Sequence, residues 1–348
     1  MKREKLEEFA KQVKADLIGV ASIDRFKKID KQHHPESIFP EVKSVIVVGK
    51  RITRGALRGV EEGTQFGLYN LYGYQWLNNR ILALTTFKIS EFLEDNGYEA
   101  VPYYSGVPEG QNPEVKPLRK NQVPPDVHFA IRIAAICAGL GEIGWSKVFL
   151  TKKFGPRQRL HAIITDLEIE PDDLVKPGTI CIKCMECVKN CPSYAIPHIK
   201  EKKKIQIKIE NYVYEWADID LGKCALSYHG GDSRVSPFIH KDFPGWNIDA
   251  RKQDFSEETA YKFCWTLSTC RWRKTKQFPS GYIIEGHAMI QKWGEGGSYG
   301  ICGSRGCMRS CFNYLEKNCI IEHRFKGGDF IKRKRWLLPY KVKKDGKN

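Results

Sequence analysis

Two apolar periods alternate along the first 170 residues of the chain. Residues 3–15 set Leu6, Phe9, Ala10 and Val13 among charges at helical spacing, which predicts an amphipathic helix. LIGVASI (17–23) and SVIVVGKRI (44–52) read as strands. The second is β-branched and nearly all apolar, as suits a strand covered on both faces. From Tyr74 to Asn96 the period is helical again. Ile81, Leu82, Leu84, Ile89, Phe92 and Leu93 are predicted on its apolar face, and Gly97 as its C-terminal cap. EAVPYY (99–104) reads as a strand and the Pro- and Gly-rich segment 105–126 as a long loop of the kind that usually carries function. Val127–Ala138 is a predicted helix with Phe129, Ile131, Ile133, Ala134 and Cys137 as core candidates, and RLHAIITDLEI (159–169) is a further strand. Helices and strands in alternation predict an α/β layer architecture. KKIQIKI (203–209) reads as a strand with one polar face.

The turn AGLGEIGW (138–145) places Gly139, Gly141 and Gly144 within six residues, which argues for close approach of backbone to another element or to a ligand. Its spacing matches neither a dinucleotide-binding fingerprint nor a Walker loop.

Chemistry enters at TICIKCMECVKNCPSYAIP (179–197). Cys181, Cys184, Cys187 and Cys191 form a C-x2-C-x2-C-x3-C run ending on Pro192, the spacing of a bacterial-type [4Fe–4S] site. Zinc sites usually pair C-x2-C units across a longer gap, so that alternative fits less well. Twelve cysteines are present in all, and YGICGSRGCMRSCFN places Cys302, Cys307 and Cys311 at C-x4-C-x3-C. That spacing resembles the second half of a two-cluster ferredoxin, widened by two residues and with Phe312 where proline is usual. In such proteins the cysteine after the x3 step ligates the other cluster. The same logic here predicts one cubane on Cys181, Cys184, Cys187 and Cys311, and another on Cys191, Cys224, Cys302 and Cys307. A rival assignment substitutes Cys319, or Cys264 and Cys270, for one of these. Packing is the simpler reading of Cys264, Cys270 and Cys137.

Composition changes the picture in two respects. No stretch approaches the ~20 apolar residues of a membrane span, and the N-terminus lacks a signal-peptide core; a cytoplasmic protein with reduced cysteines is the expectation. Net charge is +16, from 57 Lys+Arg against 41 Asp+Glu, which attracts polyanions or else describes a solvated surface. The lysine-rich runs at 200–204 and 332–335 form no known nucleic-acid motif.

With these residues in view, the chain resembles the corrinoid-dependent iron–sulfur reductases, namely reductive dehalogenases and epoxyqueuosine reductases. The resemblance rests on GYEAVPYY (97–104), AAICAGLGEIGW (134–145), TKKFGPRQRLHAIITDLEIEPDD (151–173), the cysteine run, and KCALSY (223–228), which is similar to the isolated fifth-cysteine segment of the epoxyqueuosine branch. It covers roughly residues 5–230 and 299–313. It implies a nitroreductase-like α/β core holding a cobalamin over residues 1–172, and a two-cluster bacterial-ferredoxin-like domain over 173–325 with an insert at about 232–298. A basic tail occupies 326–348. Electrons would come from an external low-potential donor of ferredoxin or flavodoxin type. The substrate would be a small molecule, as for a dehalogenase, or a tRNA nucleoside. A non-catalytic electron carrier is the alternative from another class. Gly139, Gly141, Gly144, Arg157 and Arg159 mark the implied corrinoid region. The chain has Trp145 where dehalogenases usually carry arginine, and VPPDVHFAI (123–131) in place of the epoxyqueuosine aspartate motif. A reduction at carbon needs a proton donor, and Asp126, Tyr104 and Tyr103 are the candidates. The competing readings are a helix N-cap before Val127 for Asp126 and core-edge residues for the tyrosines.

Overall fold

The structure, a computed structural model, describes residues 1–104, 115–237, 247–269, 271–273, 282–284, 302–336 and 338. Strands β1 (Leu17–Ser22), β2 (Ser44–Arg51), β3 (Ala100–Tyr103) and β6 (Gln158–Thr165) form one sheet in the order β1-β2-β6-β3; β4 (Glu142–Ile143) and β5 (Phe149–Leu150) form a small ladder of their own. Every neighbour in the large sheet is antiparallel, with Val20 opposite Ile46, Val47 opposite Ala162 and Val101 opposite Ile164. The mixed helix-and-sheet architecture is the expected one, and the uninterrupted apolar run of β2 is explained by its position. Val45 through Val48 are fully buried because both sheet faces are covered.

One face carries Val45, Val47, Ala162 and Ile164 and packs on Phe26, Phe129 and helix α5 (Ile131–Cys137). The other carries Ile46, Val48 and Ile163. It packs on Leu6 and Ala10 of α1 (Arg3–Gln12) and on Ile89 and Leu93 of α4 (Ala83–Glu94). The shared core crosses the expected domain boundary at 172. Ile209, Tyr214 and Trp216, from the hairpin of β7 (Lys204–Ile209) and β8 (Tyr212–Ala217), lie in the first cluster with Phe26 and Phe129.

Three elements depart from the sequence expectation. The helix predicted from Tyr74 begins with α3 (Gly67–Tyr69) and runs through two π segments, Asn70–Gln75 and Leu77–Leu82, before it becomes α4. Each π turn takes more residues than an α turn and rotates the phase of the turns after it. Ile81 and Leu84, expected on the apolar face, are therefore 41% and 55% exposed, and the wide turns bury Asn70, Gln75 and Asn78 instead. The helix predicted from Val127 is confined to Ile131–Cys137, with Ala130 before it. Asp126 sits in the left-handed region at φ 61° and caps nothing. The basic tail, for which the sequence predicts no element, is a strap over its first part. Phe330 is fully buried, the Trp336 indole donates to Val60 O at 2.9 Å, and Arg333 of the basic run pairs with Glu62. These contacts dock the strap on α2 (Arg54–Glu62) and α9 (Cys307–Lys317). Among the described residues no helix is long and apolar enough to cross a membrane.

His161 on β6 is 1% exposed, with Nε2 3.2 Å from Asn78 Oδ1 and Nδ1 3.4 Å from Thr86 Oγ1. Burial lowers its pKa to about 4. The unfolded chain therefore takes up this proton first, so the stability that His161 contributes is complete above pH ~6.5 and falls as pH drops towards 4. Urea unfolding at pH 7 and pH 4.5 is expected to show a loss of about 2–3 kcal/mol from this group, and the pH dependence is expected to shrink by that amount in His161→Asn.

Candidate metal centre

The loop after Lys176 has little regular structure, and its shape comes from a single carboxylate. Glu142 on β4, 4% exposed, accepts the backbone N–H of Gly178 at 2.8 Å, Ile180 at 2.6 Å and Cys181 at 3.0 Å. Next to it Trp145 donates its backbone N–H to Cys181 Sγ at 3.3 Å and its indole N–H to Pro197 O at 2.9 Å. Lys183 (φ 54°) and Met185 (φ 60°) turn left-handed between the cysteines, and the short α6 (Glu186–Lys189) leads to Cys191. α6 packs on α9, which carries Cys307 and Cys311 one helical turn apart. Cys224 lies on α7 (Leu221–Tyr228), which is capped by Asp220 through the N–H of Lys223 and packs on α8 (Glu257–Thr269). Cys302 opens a turn whose Arg305 and Gly306 N–H groups both reach Cys302 O, at 3.0 and 2.5 Å.

The thiols fall into two sets. One small cavity is lined by Cys181, Cys184, Cys187 and Cys311 together with Trp145 and Leu150. Burial pushes the Cys187 thiol up to about 12, and the neighbouring Cys181 and Cys184 add to it. Burial and Cys181, Cys187 and Cys184 push Cys311 well above the thiol range. In the second set Cys224 is held at about 12 by burial and by Cys191. Cys302 is raised by burial, Cys191 and Cys224, and Cys307 by burial, Cys302, Cys224 and Cys191. The sets meet where Cys307 also feels Cys187, the weakest of its thiol neighbours. Of the other cysteines, Cys137 and Cys264 are buried among apolar side chains, Cys319 is exposed, and Cys270 lies outside the described residues.

Among the described residues, no group of three or more His, Cys, Asp or Glu side chains is close enough to hold a single metal ion. A four-iron cubane carries its thiolates farther apart than one ion does. The surroundings suit such a group. Ser227 Oγ is fully buried against Cys302, whose pKa it lowers by hydrogen bonding. Arg305 Nε and Nη1 are buried beside Cys302 with no hydrogen-bond partner among the described residues.

A group of cationic and phenolic side chains lies next to the second set. Arg132 of α5 has its pKa lowered by desolvation. It feels Cys224 and Arg159, and its Nη1 donates to Lys147 O at 2.5 Å. Arg159 of β6 donates to Gly73 O at 2.9 Å and stacks over Tyr74 at 4.5 Å. Tyr69 and Tyr228 complete the group. Burial raises both phenols, Tyr228 strongly, and Arg159 opposes the rise in each. Tyr228 is four residues beyond Cys224 on α7, one turn away.

The other sequence candidates lie elsewhere. Tyr103, Tyr104 and Asp126 line a separate cavity of about 590 Å³ with Gln122 and Pro124. Tyr103 Oη accepts the N–H of Phe129 at 3.1 Å, and Tyr104 Oη donates to Asn79 Oδ1 at 2.5 Å. Gly139, at φ 67°, and Gly141 abut the chain itself. A Cβ there would lie 2.4 Å from Asp173 O and 1.9 Å from Leu150 O, and one at Gly144 would meet the Leu150 side chain. Arg157 is fully buried with Nη1 on Ile52 O at 2.6 Å and its guanidinium over Phe312 at 4.5 Å; it joins the sheet to the strap rather than facing an open site. Glu142, Arg132, Tyr69, Tyr228 and Arg305 were not singled out by sequence. Only Tyr228 carried a signal, its helical spacing from Cys224.

Part of the chain is similar in sequence to known proteins. It is 34% identical over 182 residues to a tetrachloroethene reductive dehalogenase of Desulfitobacterium hafniense, covering 49% of this chain and 29% of the relative. It is 35% identical over 158 residues to that of Dehalobacter restrictus, covering 43% and 25%. The chain thus matches less than a third of the length of these relatives, and the likeness to reductive dehalogenases expected from its motifs is present in sequence. No protein-family model matches. Among solved structures, an epoxyqueuosine reductase from Streptococcus thermophilus aligns with TM-score 0.41 at 18% identity over 56% of this chain and 54% of that one. A catabolic reductive dehalogenase in complex with 3-bromo-4-hydroxybenzoic acid aligns with TM-score 0.44 at 16% identity over 98% and 42%.

Replacing Glu142 by Ala takes the acceptor from three backbone N–H groups, that of Ile180 buried and those of Gly178 and Cys181 partly so. At roughly 1 kcal/mol or more for each, amide exchange of Gly178, Ile180 and Cys181 is expected to accelerate by at least about fivefold each, read by hydrogen exchange on the full chain.

Proposed function

We propose that the chain is an iron–sulfur oxidoreductase of the reductive-dehalogenase type. Cys181, Cys184, Cys187 and Cys311 hold one [4Fe–4S] cluster, and Cys191, Cys224, Cys302 and Cys307 hold a second. The observation that carries this reading is the gathering of eight buried or half-buried thiols, drawn from three chain segments, into two neighbouring groups, the first of them around one small cavity. The finer fold reading, a nitroreductase-like core with a ferredoxin-like two-cluster unit, goes with it. The sequence relatives, themselves tetrachloroethene reductive dehalogenases, support the reductase class.

Arg132, Arg159, Tyr69 and Tyr228 beside the second quartet line a recess, the place for a corrinoid and substrate. A bound corrinoid would supply a strongly reducing cobalt centre, the part of the chemistry that no side chain provides. The chain supplies the rest. Arg132 and Arg159 draw anionic groups into the recess. Tyr69 and Tyr228 keep their phenolic protons at neutral pH, with Arg159 positioned to ease the release of one. Tyr103, Tyr104 and Asp126 line the second cavity, a route or side pocket for a small molecule. Electrons come from an external low-potential carrier. The net charge of +16 is the support for a tRNA-directed reading of the epoxyqueuosine type.

Anaerobic reconstitution with iron, sulfide and cobalamin tests the proposal. About eight irons per chain are expected, with stoichiometric cobalt retained through gel filtration and ~four irons left in Cys184→Ser or Cys224→Ser if one cluster is lost in each. Four irons in the parent chain would sink the two-cluster reading; eight irons without cobalt uptake would leave an electron carrier. Salt-sensitive binding of tRNA at low ionic strength would move the substrate from organohalide to nucleic acid.

A further inference from the structure

The two quartets sit in opposite fixed fields. Beside the second, Arg305 is 1% exposed; its Nη2 donates to Trp336 O at 2.6 Å, its guanidinium lies over the Trp336 ring at 4.1 Å, and its remaining nitrogens have no partner among the described residues. Arg335 donates to Asn190 O at 2.8 Å, next to Cys191. Each cation donates to one backbone carbonyl, and neither makes an ion pair among the described residues. Arginine stays charged throughout the working range of pH. The other charges nearby largely cancel. Arg234 is paired with the buried Asp232 and Asp249, and Arg309 with Glu61. At the recess edge Cys224 feels Glu257 against Lys147 and Arg132.

Beside the first quartet the unbalanced group has the other sign. Glu142 is held by three backbone N–H groups at the Cys181 end of the loop and makes no ion pair among the described residues. Lys183 is paired with Glu215, and Lys189 with Glu186 at the surface.

A cubane on four thiolates becomes more negative when reduced. A buried cation stabilises the reduced form and raises its potential; a buried anion does the reverse. We propose that fixed charge sets the two clusters apart: Arg305 and Arg335 raise the potential of the second, Glu142 lowers that of the first, and an electron moves downhill from first to second. The inference rests on the two-cluster reading above. In the step itself one electron leaves the reduced first cluster and reduces the oxidised second one. No bond changes and no proton is required; the electron originates from a one-electron reductant such as dithionite.

The test is an EPR-monitored redox titration of the reconstituted full chain with dithionite. Signals are assigned by their loss or perturbation in Cys184→Ser for the first cluster and Cys224→Ser for the second. In the parent chain the second cluster is expected to reduce at the higher potential. Arg305→Gln and Arg335→Gln are expected to lower the potential of that cluster alone, Glu142→Gln to raise that of the first alone, and Arg305→Lys to restore the parent value. Arg305→Gln and Glu142→Gln act from opposite ends, so the gap narrows in each even if one of them binds less iron. Eight irons with the order reversed, or with potentials unmoved by these variants, overturns the inference alone. Four irons or fewer overturns the cluster reading and the inference with it.

Discussion

A buried carboxylate needs donors, and a loop without regular structure needs acceptors. Glu142 meets both requirements at once. Its side chain leaves the small β4–β5 ladder and takes the N–H groups of Gly178, Ile180 and Cys181, so that the first thiol of the cysteine run is fixed relative to the sheet domain. Trp145, three residues on, adds a backbone N–H to the Cys181 sulfur and anchors Pro197 through its indole. The far end of the run then has nowhere to go but along α6 onto α9, which brings Cys311 into the same chamber and Cys307 into the next. The glycine-rich turn before Glu142 is dense in glycine because it lies against the chain's own backbone at Asp173 and Leu150.

The large positive charge has a structural use as well as a surface one. Arg54 and Arg58 stack on Phe330, Arg157 on Phe312 and Phe325, and Arg305 on Trp336. Arg54 also pairs with the buried Glu316, and Arg309 with Glu61. Guanidinium groups can lie flat on aromatic faces while their edges donate to carbonyls, which lets them dock the C-terminal strap over α2 and α9. The same strap delivers Arg335 and the Trp336 platform for Arg305 to the second quartet. Stability and electrostatic poise thus share side chains.

Several elements meet beside the second set of thiols. β6 contributes Arg159, α5 contributes Arg132, α3 contributes Tyr69 and the first π segment Tyr74. α7 contributes Cys224 on one turn and Tyr228 on the next. Cys224 of the second set and Tyr228 of the cationic, tyrosine-bearing group share α7, so one short helix connects the two.

The sequence alone determined what depends on local spacing. The close spacing of Cys181, Cys184 and Cys187 and the x3 step to Cys311 stand in the chain itself, and the structure brings these four around one small cavity. β2 could be read because a strand covered on both faces leaves no position for a polar side chain. The tertiary structure alone decided what depends on distance. A tyrosine, arginine or glutamate is common enough that nothing in the chain distinguishes Tyr69, Arg132 or Glu142 until burial and neighbours do. The π turns invert the exposure of Ile81 and Leu84 through a change of helical phase that apolar spacing does not encode. The basic tail became a strap because Phe330 found Arg54 and Arg58, and Trp336 found Val60, more than 250 residues earlier in the chain.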